Sequence, residues 1–240
     1  MKFLKFLRRA KNLVKTTFYN KYNEQKLDDI FNNIYQNRLW GEDSKDYKFF
    51  SGEGSHDQNL TKEYINHVTN FIKKTNCLSI LDLGCGDFRV GKCLAPHTEK
   101  YYAADVSDLV VEQNKDKYKD LNVEFIHLDA TIDAIPKVDL IIVRQVLQHL
   151  SNQDINKVLN NINLSKPKYL CITEHLPIEK SFTSNIDKPT DHGIRLSLGS
   201  GVRIEDPTFL FAYKSKSKLI SINTIAEGLQ SRLVTYLYVL

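Results

Sequence analysis

Short apolar runs alternate with amphipathic stretches along the middle of the chain, from residue 77 to residue 173. Residues 88–95, 107–119 and 151–163 repeat apolar positions at helical spacing, and the runs between them have the length of buried strands. The strand candidates are CLSILDL, YYAADV, VEFIHL, VDLIIV and KYLCIT. Strands that alternate with helices in this order predict a parallel sheet with right-handed crossovers and helices on both faces.

The end of the chain follows a different pattern. SKLISIN and RLVTYLYVL favour strands, and the segment TIAEGLQS between them has no crossover helix, so the two strands should form an antiparallel hairpin. The sequence therefore predicts an α/β fold. It is a doubly wound, Rossmann-like seven-stranded sheet with a terminal antiparallel hairpin and an N-terminal helical extension.

The N-terminal extension, residues 1–23, is predicted to be a basic amphipathic helix. The first 26 residues hold eight lysines or arginines against one acid, Glu24, with apolar residues between them at helical spacing. Two interpretations stay open. Residues 1–20 lie on an anionic membrane surface, or the helix packs its apolar face on the domain and keeps its lysines in water.

Composition and charge narrow the function classes. The formal net charge of +4 is concentrated in the N-terminal extension, which argues against a broad nucleic-acid-binding surface on the globular part. The four cysteines form neither a C-x-x-C pair nor a cluster with zinc spacing, so we expect reduced thiols and no metal site. The chain is expected in the cytoplasm, either dissolved or peripheral at the inner face of the cytoplasmic membrane.

The segment ILDLGCGDFRVG, residues 80–91, ends the first predicted strand with a glycine-rich loop. A dinucleotide-binding loop would carry a third glycine where this chain has Arg89. Asp82 stands where a pyrophosphate would lie, and it favours a cationic group there instead. Asp105 follows at a spacing suited to ribose hydroxyls, and Asp129 ends the third predicted strand, where an adenine amino group could bind. A nucleoside with an amino-acid tail and no pyrophosphate satisfies these positions, and S-adenosylmethionine is such a molecule.

In the order of its motifs the chain resembles the class I S-adenosylmethionine-dependent methyltransferases. The motifs are ILDLGCGDFRVG, AADVS, LDATI and VDLIIVRQVLQHLS, over about residues 60–175. The resemblance implies that Asp82, Gly84 and Gly86 contact the methionine moiety, that Asp105 binds the ribose and that Asp129 binds the adenine ring. The predicted cofactor-binding residues are Asp82, Gly84, Cys85, Gly86, Asp105, Val106, Asp129, Ala130, Arg144, Gln145, Gly52 and Gly54.

This resemblance makes residues 24–240 the expected methyltransferase domain. Residues 57–175 are its cofactor-binding core, residues 176–213 an acceptor-side insertion and residues 214–240 the closing hairpin. The segment SGEGSH, before the core, is expected to fold over the cofactor as a lid, with its two glycines near the methionine carboxylate.

A finer resemblance lies partly outside the core. It is carried by IYQNRLWGEDSKDYKFFSGEGSHDQN, CGDF, RQVLQHLSN and ITEHLP…NIDK…GIRLSLGSGV. These segments resemble a bacterial group of the class that is associated with capsule or lipopolysaccharide synthesis. Some of its members resemble the methyltransferases proposed to make the O-methyl phosphoramidate of capsular sugars. The resemblance implies a small-molecule or glycan acceptor.

The acceptor side should be built by the segments that follow the fourth and fifth predicted strands. His149 follows the fourth strand, and Glu174 and His175 follow the fifth. A histidine beside an acid at a strand end can act as a general base, so these three are the candidate catalytic residues. Packing of His149 within its own helix is the alternative. The candidates for acceptor binding in the insertion are Arg195, Asp187 and His192, with ordinary surface charge as the alternative.

Three functions compete on this evidence. The first is methyl transfer from S-adenosylmethionine to an oxygen or a nitrogen of a small molecule or glycan precursor. The second is a nucleotide-sugar oxidoreductase, which Arg89 and the absence of a suitable Tyr-x-x-x-Lys pair disfavour. The third is a non-catalytic, membrane-associated scaffold, which the intact loop acids disfavour. The sequence gives no oligomeric state.

Overall fold

The computed structural model of the protein describes residues 26–42 and 47–240. Its centre is a seven-stranded sheet with the strand order β3-β2-β1-β4-β5-β7-β6. The strands are β1 (Ser79–Leu83), β2 (Lys100–Asp105), β3 (Glu124–His127), β4 (Leu140–Arg144), β5 (Tyr169–Pro177), β6 (Ser215–Ala226) and β7 (Leu229–Val239). The first five are parallel, whereas β7 pairs antiparallel with both β5 and β6. This arrangement confirms the predicted fold class.

Helices cover both faces of the sheet because its strands are apolar on both sides. The helices are α1 (Leu27–Gln36), α2 (Glu53–His56), α3 (Gln58–Thr75), α4 (Gly91–Leu94), α5 (Asp108–Lys117) and α6 (Asn152–Ser165). In β1, Leu81 packs in the core shared with α1 and α6, and its neighbour Ile80 packs in the core shared with α3 and α5. Alternate residues thus enter opposite cores, as the two-residue period of a strand requires.

Two elements differ from the predicted ones in ways that matter for the site. Strand β5 continues through Pro177, so Glu174 and His175 lie within the strand, opposite Val234 and Leu233 of β7. The helix expected from residue 88 begins only at Gly91. Strand β5 is longer than predicted because the long β7 supplies hydrogen-bonding partners beyond the end of the parallel sheet.

The terminal hairpin is longer than its sequence pattern indicated. Its strands take in most of TIAEGLQS and leave only Glu227 and Gly228 as the turn. Both have positive φ, 50° and 74°, the combination of a type I′ turn, which matches the twist of the flanking strands. The tip of the hairpin therefore projects well past the end of β5.

The predicted helix at residues 1–23 lies outside the described residues. Within the described ranges, no helix combines the length and the apolar character needed to cross a membrane. Helix α1 buries Ile30, Phe31, Ile34 and Tyr35. It is tied to the start of α5 because the Asn32 side chain accepts a hydrogen bond from Ser107 Oγ (2.6 Å) and donates one to Asp108 (2.8 Å).

Candidate cofactor and acceptor cleft

A cavity of about 450 Å³ lies at the carboxyl ends of the parallel strands. Of the predicted cofactor residues, it is lined by Gly84, Cys85, Gly86, Asp105, Val106, Asp129, Ala130, Arg144, Gln145, Gly52 and Gly54. These positions come from the ends of β1, β2 and β4, from the segment after β3 and from the segment before α2. This is where open α/β sheets bind their ligands.

The glycine-rich loop after β1 has no room for side chains at its two glycines. Gly84 and Gly86 have φ of 75° and 54°. A Cβ atom at Gly84 would collide with Val146, and one at Gly86 would lie 2.5 Å from Ser51 Oγ. The Gly86 N–H donates to Asp105 Oδ2 (3.0 Å), so the loop is bound to the end of β2.

Asp105 and Asp129 occupy the rim of the cavity at the ends of neighbouring segments. Asp105 is buried, and its other oxygen accepts the Ser107 N–H at 3.0 Å. Burial raises the pKa of the Asp105 carboxyl. Asp129 Oδ1 accepts from both the N–H and the hydroxyl of Thr131. Each carboxylate is thus held in place by neighbouring groups, which preserves its orientation toward the cavity.

Asp82 does not line the cavity, in contrast to the other acids of the predicted set. It is buried beneath the loop and accepts the hydroxyl hydrogen of Tyr101 at 3.0 Å. Burial raises the pKa of Asp82 to about 6, while the Tyr101 hydrogen bond and the positive charge of Arg144 oppose the rise. Asp82 therefore lies behind the residues that line the cavity, although the motif predicted that it contacts the cofactor directly.

The segment before α3 closes one side of the cavity. Asp87 accepts from the Ser51 N–H (3.1 Å) and lies 2.7 Å from His56 Nε2. Arg144 Nη2 donates to the carbonyl of Gly54 at 2.6 Å. Gly54 is needed there because a Cβ would lie 2.6 Å from the side-chain amide of Gln145. These contacts hold the lid segment against the loop after β1 and the end of β4.

His175 lies at the acceptor end of the cavity with both ring nitrogens engaged. Nε2 is 2.9 Å from the Gln145 amide nitrogen, which can only donate, and Nδ1 is 3.2 Å from Ser231 Oγ. The Nδ1–H tautomer satisfies both contacts. Burial lowers the pKa of His175 to about 4, and the nearby charge of Arg144 adds to the shift.

His149 has one committed nitrogen and a different set of neighbours. Nδ1 is 3.2 Å from the Gly193 carbonyl and must carry the hydrogen, since a carbonyl only accepts. Nε2 lies 3.4 Å from the Gln148 amide nitrogen. Burial lowers the pKa of His149 to about 3, and Lys188 adds to the shift. The ring also contacts Trp40, with centroids 5.1 Å apart.

Three of the predicted acceptor-side residues do not line the cavity, and this corrects their expected placement. Glu174 and Arg195 are 2% and 1% exposed, and both bind backbone groups. Asp187 is exposed and accepts the N–H of Asn152 at 2.8 Å. The insertion folds back so that only its residues around His192 and Ile194 reach the cavity.

Several lining residues were not anticipated from the sequence. Tyr35 and Trp40 come from α1 and the segment after it, and Glu227 comes from the hairpin tip. Trp40 Nε1 donates to the His192 carbonyl (3.0 Å), and Glu227 accepts the Ile194 N–H (3.1 Å). Trp40 is the chain's one tryptophan, and no other sequence feature marked it as a candidate for the cavity wall. These contacts join three distant segments into one wall of the cleft.

Because the pKa values of His149 and His175 are lowered by burial, we expect the protein to lose stability in mild acid. Their folded pKa values lie below the ordinary value of 6.5, so the unfolded chain takes up protons first as the pH falls. Their contribution to the free energy of unfolding is complete above pH 6.5. It is lost as the pH falls from there to about 4 for His175 and about 3 for His149. We expect the free energy of unfolding, measured with urea, to fall by about 2 kcal/mol per histidine between pH 7.5 and 5.

Glutamine variants test this assignment. H149Q and H175Q should each flatten the pH dependence, whereas H67Q, at an exposed position outside the cavity, should retain the wild-type profile. An unchanged profile in both cavity variants would contradict the prediction.

Comparison with known proteins identifies the domain. Residues 80–165, from β1 to the end of α6, match the family model described as a methyltransferase domain. A search of curated proteins finds no match. Many solved structures share the fold.

Two of these structures illustrate the likeness. The N-methyltransferase NodS from Bradyrhizobium japonicum WM9, in complex with S-adenosyl-L-homocysteine, has a TM-score of 0.61 at 14% identity. The match covers 86% of this chain and 98% of that one. The magnesium protoporphyrin IX methyltransferase ChlM from Synechocystis PCC 6803 has a TM-score of 0.52 at 17% identity, covering 88% and 97%.

The match of residues 80–165 to a methyltransferase domain and the shared fold agree with the predicted enzyme class and cofactor, and they do not favour the oxidoreductase or the scaffold. They leave the capsule-associated subgroup untested. Residues 80–165 of the chain therefore match a methyltransferase domain, and the chain shares the fold of S-adenosylmethionine-dependent methyltransferases.

Proposed function

We propose that the protein transfers the methyl group of S-adenosylmethionine to an uncharged oxygen or nitrogen of a small molecule or glycan precursor. The observation that carries this proposal is the charge of the cleft. Its described lining residues include one cation, Arg144, and five acids. The acids are Glu53, Asp57, Asp105, Asp129 and Glu227. A sulfonium cofactor is attracted to such a lining, and an anionic acceptor is repelled.

The cofactor half of the proposal rests on positions that the fold brings together. Asp105, at the end of β2, and Asp129, after β3, both line the cavity, which supports a role for Asp105 in binding the ribose hydroxyls and for Asp129 in binding the adenine. Gly84 and Gly86 leave room for the methionine chain, and Arg144 beside Gly54 supplies the cation for its carboxylate. When bound, the cofactor supplies the electrophilic methyl group. The residues supply orientation and exclusion of water.

The acceptor half is lined by hydrogen-bonding and aromatic groups, with Glu227 as its acid. Trp40, Gln148, His149 and His192 all contribute to the cavity. Methyl transfer forms a bond from carbon to the acceptor atom and breaks the bond from carbon to sulfur. A methylated amine keeps its proton as an ammonium at neutral pH, whereas a methylated hydroxyl then sheds a proton. Nε2 of His149 is suited to receive that proton, since Nδ1 carries the ring hydrogen. A strong base is unnecessary for a hydroxyl acceptor because methylation turns its oxygen into a strongly acidic oxonium.

The finer assignment, to capsule or surface polysaccharide synthesis, stays a prediction. It is supported by the resemblance of the segments that flank the core, including the lid and the insertion. Within that assignment the lining favours a hydroxyl or amine of a glycan precursor over an O-methyl phosphoramidate. The basic residues 1–25 lie outside the described ranges, and the proposal uses only the described lining.

Two measurements test the proposed function. Calorimetry should show binding of S-adenosylmethionine and S-adenosylhomocysteine and no binding of NAD. Methyl-labelled cofactor should then be offered with matched acceptor pairs, in which a neutral sugar or amino sugar is compared with its phosphate or phosphoramidate. We expect label in the neutral members. Transfer confined to the anionic members would overturn the acceptor proposal, and binding of NAD alone would overturn the reaction.

A further inference from the structure

A tight turn follows β4 and carries two side chains of the acceptor wall. Residues Leu147–His149 form one turn of 3₁₀ helix, from which Gln148 and His149 line the cavity. So short a turn cannot satisfy its own backbone N–H and carbonyl groups. In this protein both kinds of backbone group are bound by buried ionisable side chains.

Arg195 binds the carbonyl side of the turn with its whole guanidinium group. Nη1 donates to the carbonyls of Leu147 and Gln148, both at 3.1 Å, and Nη2 donates to that of Leu150 at 2.6 Å. The remaining two N–H groups donate to the Ile186 carbonyl and to Asn152 Oδ1, both at 3.0 Å. All five donors are used, so the guanidinium has none left for a substrate anion.

Glu174 binds the amide side of the same turn. Its two oxygens accept the N–H groups of Leu147 (3.0 Å) and Gln148 (3.1 Å). Burial raises the pKa of Glu174 to about 8, while the Leu147 and Gln148 amides and the positive charge of Arg195 oppose the rise. The turn is also fixed to β5 because the Gln148 side chain accepts the His175 N–H at 3.2 Å. A buried acid and a buried base thus hold a single turn from opposite sides.

We propose that Glu174 and Arg195 are positioning residues that hold the Leu147–Leu150 turn and thereby present Nε2 of His149 and the amide of Gln148 to the methyl acceptor. This rests on the proposed function for the identity of the cleft. Neither residue touches the cavity, so both act through the turn. Both residues bind backbone groups of the turn rather than the substrate.

The experiment reads the ring of His149 directly, and it needs no acceptor. Protein labelled with ¹⁵N-histidine at pH 7.5 should show His149 as one tautomer, with the hydrogen on Nδ1. In R195K and E174Q the turn loses part of its support, and we expect the two ring nitrogens to move toward the averaged shifts of a mixed tautomer. The Kd for S-adenosylhomocysteine should stay within about threefold of the wild-type value.

R232K is the matched control. Arg232 also donates to backbone carbonyls, those of Pro177 and Glu179, but it does not bind the turn. Its variant should leave the His149 signals in place. A merely structural role for Arg195 and Glu174 would lower stability and leave the tautomer unchanged, which would overturn the proposal.

A measurement on the unaltered protein covers the case in which both variants fail to fold. The amide hydrogens of Leu147 and Gln148 should exchange slowly with solvent because Glu174 binds them. Exchange at the rate of an exposed loop would overturn the proposal. Failure of the wild-type protein to bind S-adenosylhomocysteine would instead count against the proposed function, and the two failures are therefore distinguishable.

Discussion

Replacing Asp105 with asparagine should weaken binding of S-adenosylmethionine by about 100-fold, measured by calorimetry. Both carboxylate oxygens of Asp105 accept backbone hydrogens, from Gly86 and Ser107. An asparagine must turn its NH₂ group toward one of these donors, which opposes two hydrogens and loosens the glycine-rich loop. It also removes the charge proposed to accept from the ribose hydroxyls. The loss therefore has both a geometric and an electrostatic part.

The control is D116N, on the exposed face of α5. It removes the same charge from the surface and should bind the cofactor like the wild type. Thermal unfolding of D105N should remain cooperative, so that lost affinity is separable from lost structure. Wild-type affinity in a folded D105N would contradict the assignment of Asp105 to the ribose.

Replacing Gly84 with alanine should abolish cofactor binding and destabilise the fold by about 3 kcal/mol. Two costs combine at this position. The backbone has φ of 75°, which an alanine adopts only under strain, and the new Cβ would collide with Val146. Urea unfolding and calorimetry on the same preparation measure the two effects.

Gly199 provides a control that separates these costs. It has a similar φ of 63°, but a Cβ there would have nothing within 4 Å. G199A should therefore show the backbone cost alone and keep full cofactor affinity. The double variant G84A/V146A should recover the part of the stability that the collision removed. Equal destabilisation by G84A and G199A would contradict the steric argument.

The parallel half of the fold follows from local patterns. The strands from β1 to β5 are short and mostly apolar; Asp105 is the last residue of β2, and Asp129 lies two residues after β3. Because parallel strands end at one edge of a sheet, the positions of Asp105 and Asp129 in the sequence were enough to predict that both line one ligand site. The glycine-rich loop, the acids after it and the resemblance of the motifs then led to the enzyme class and its cofactor.

The acceptor wall could not be predicted in the same way. Trp40, His192 and Glu227 meet through segments far apart in sequence, and none of these segments has a periodic pattern that indicates its partner. The length of β5 was missed for a related reason. Its extension through His175 depends on pairing with β7, more than 50 residues later, which supplies the hydrogen bonds that keep the strand extended.

The role of Arg195 could be read only from the tertiary structure. By itself the sequence determined the apolar periodicity, the alternating elements, the glycine-rich loop and its downstream acids, because these depend on neighbours along the chain. It also placed a basic residue in a polar insertion, for which an anionic substrate is a reasonable partner. Only the tertiary structure decided that this guanidinium is buried and bound to the carbonyls of Leu147, Gln148 and Leu150. The partner of a long side chain depends on which backbone groups the fold leaves unsatisfied within its reach, and no local pattern records that.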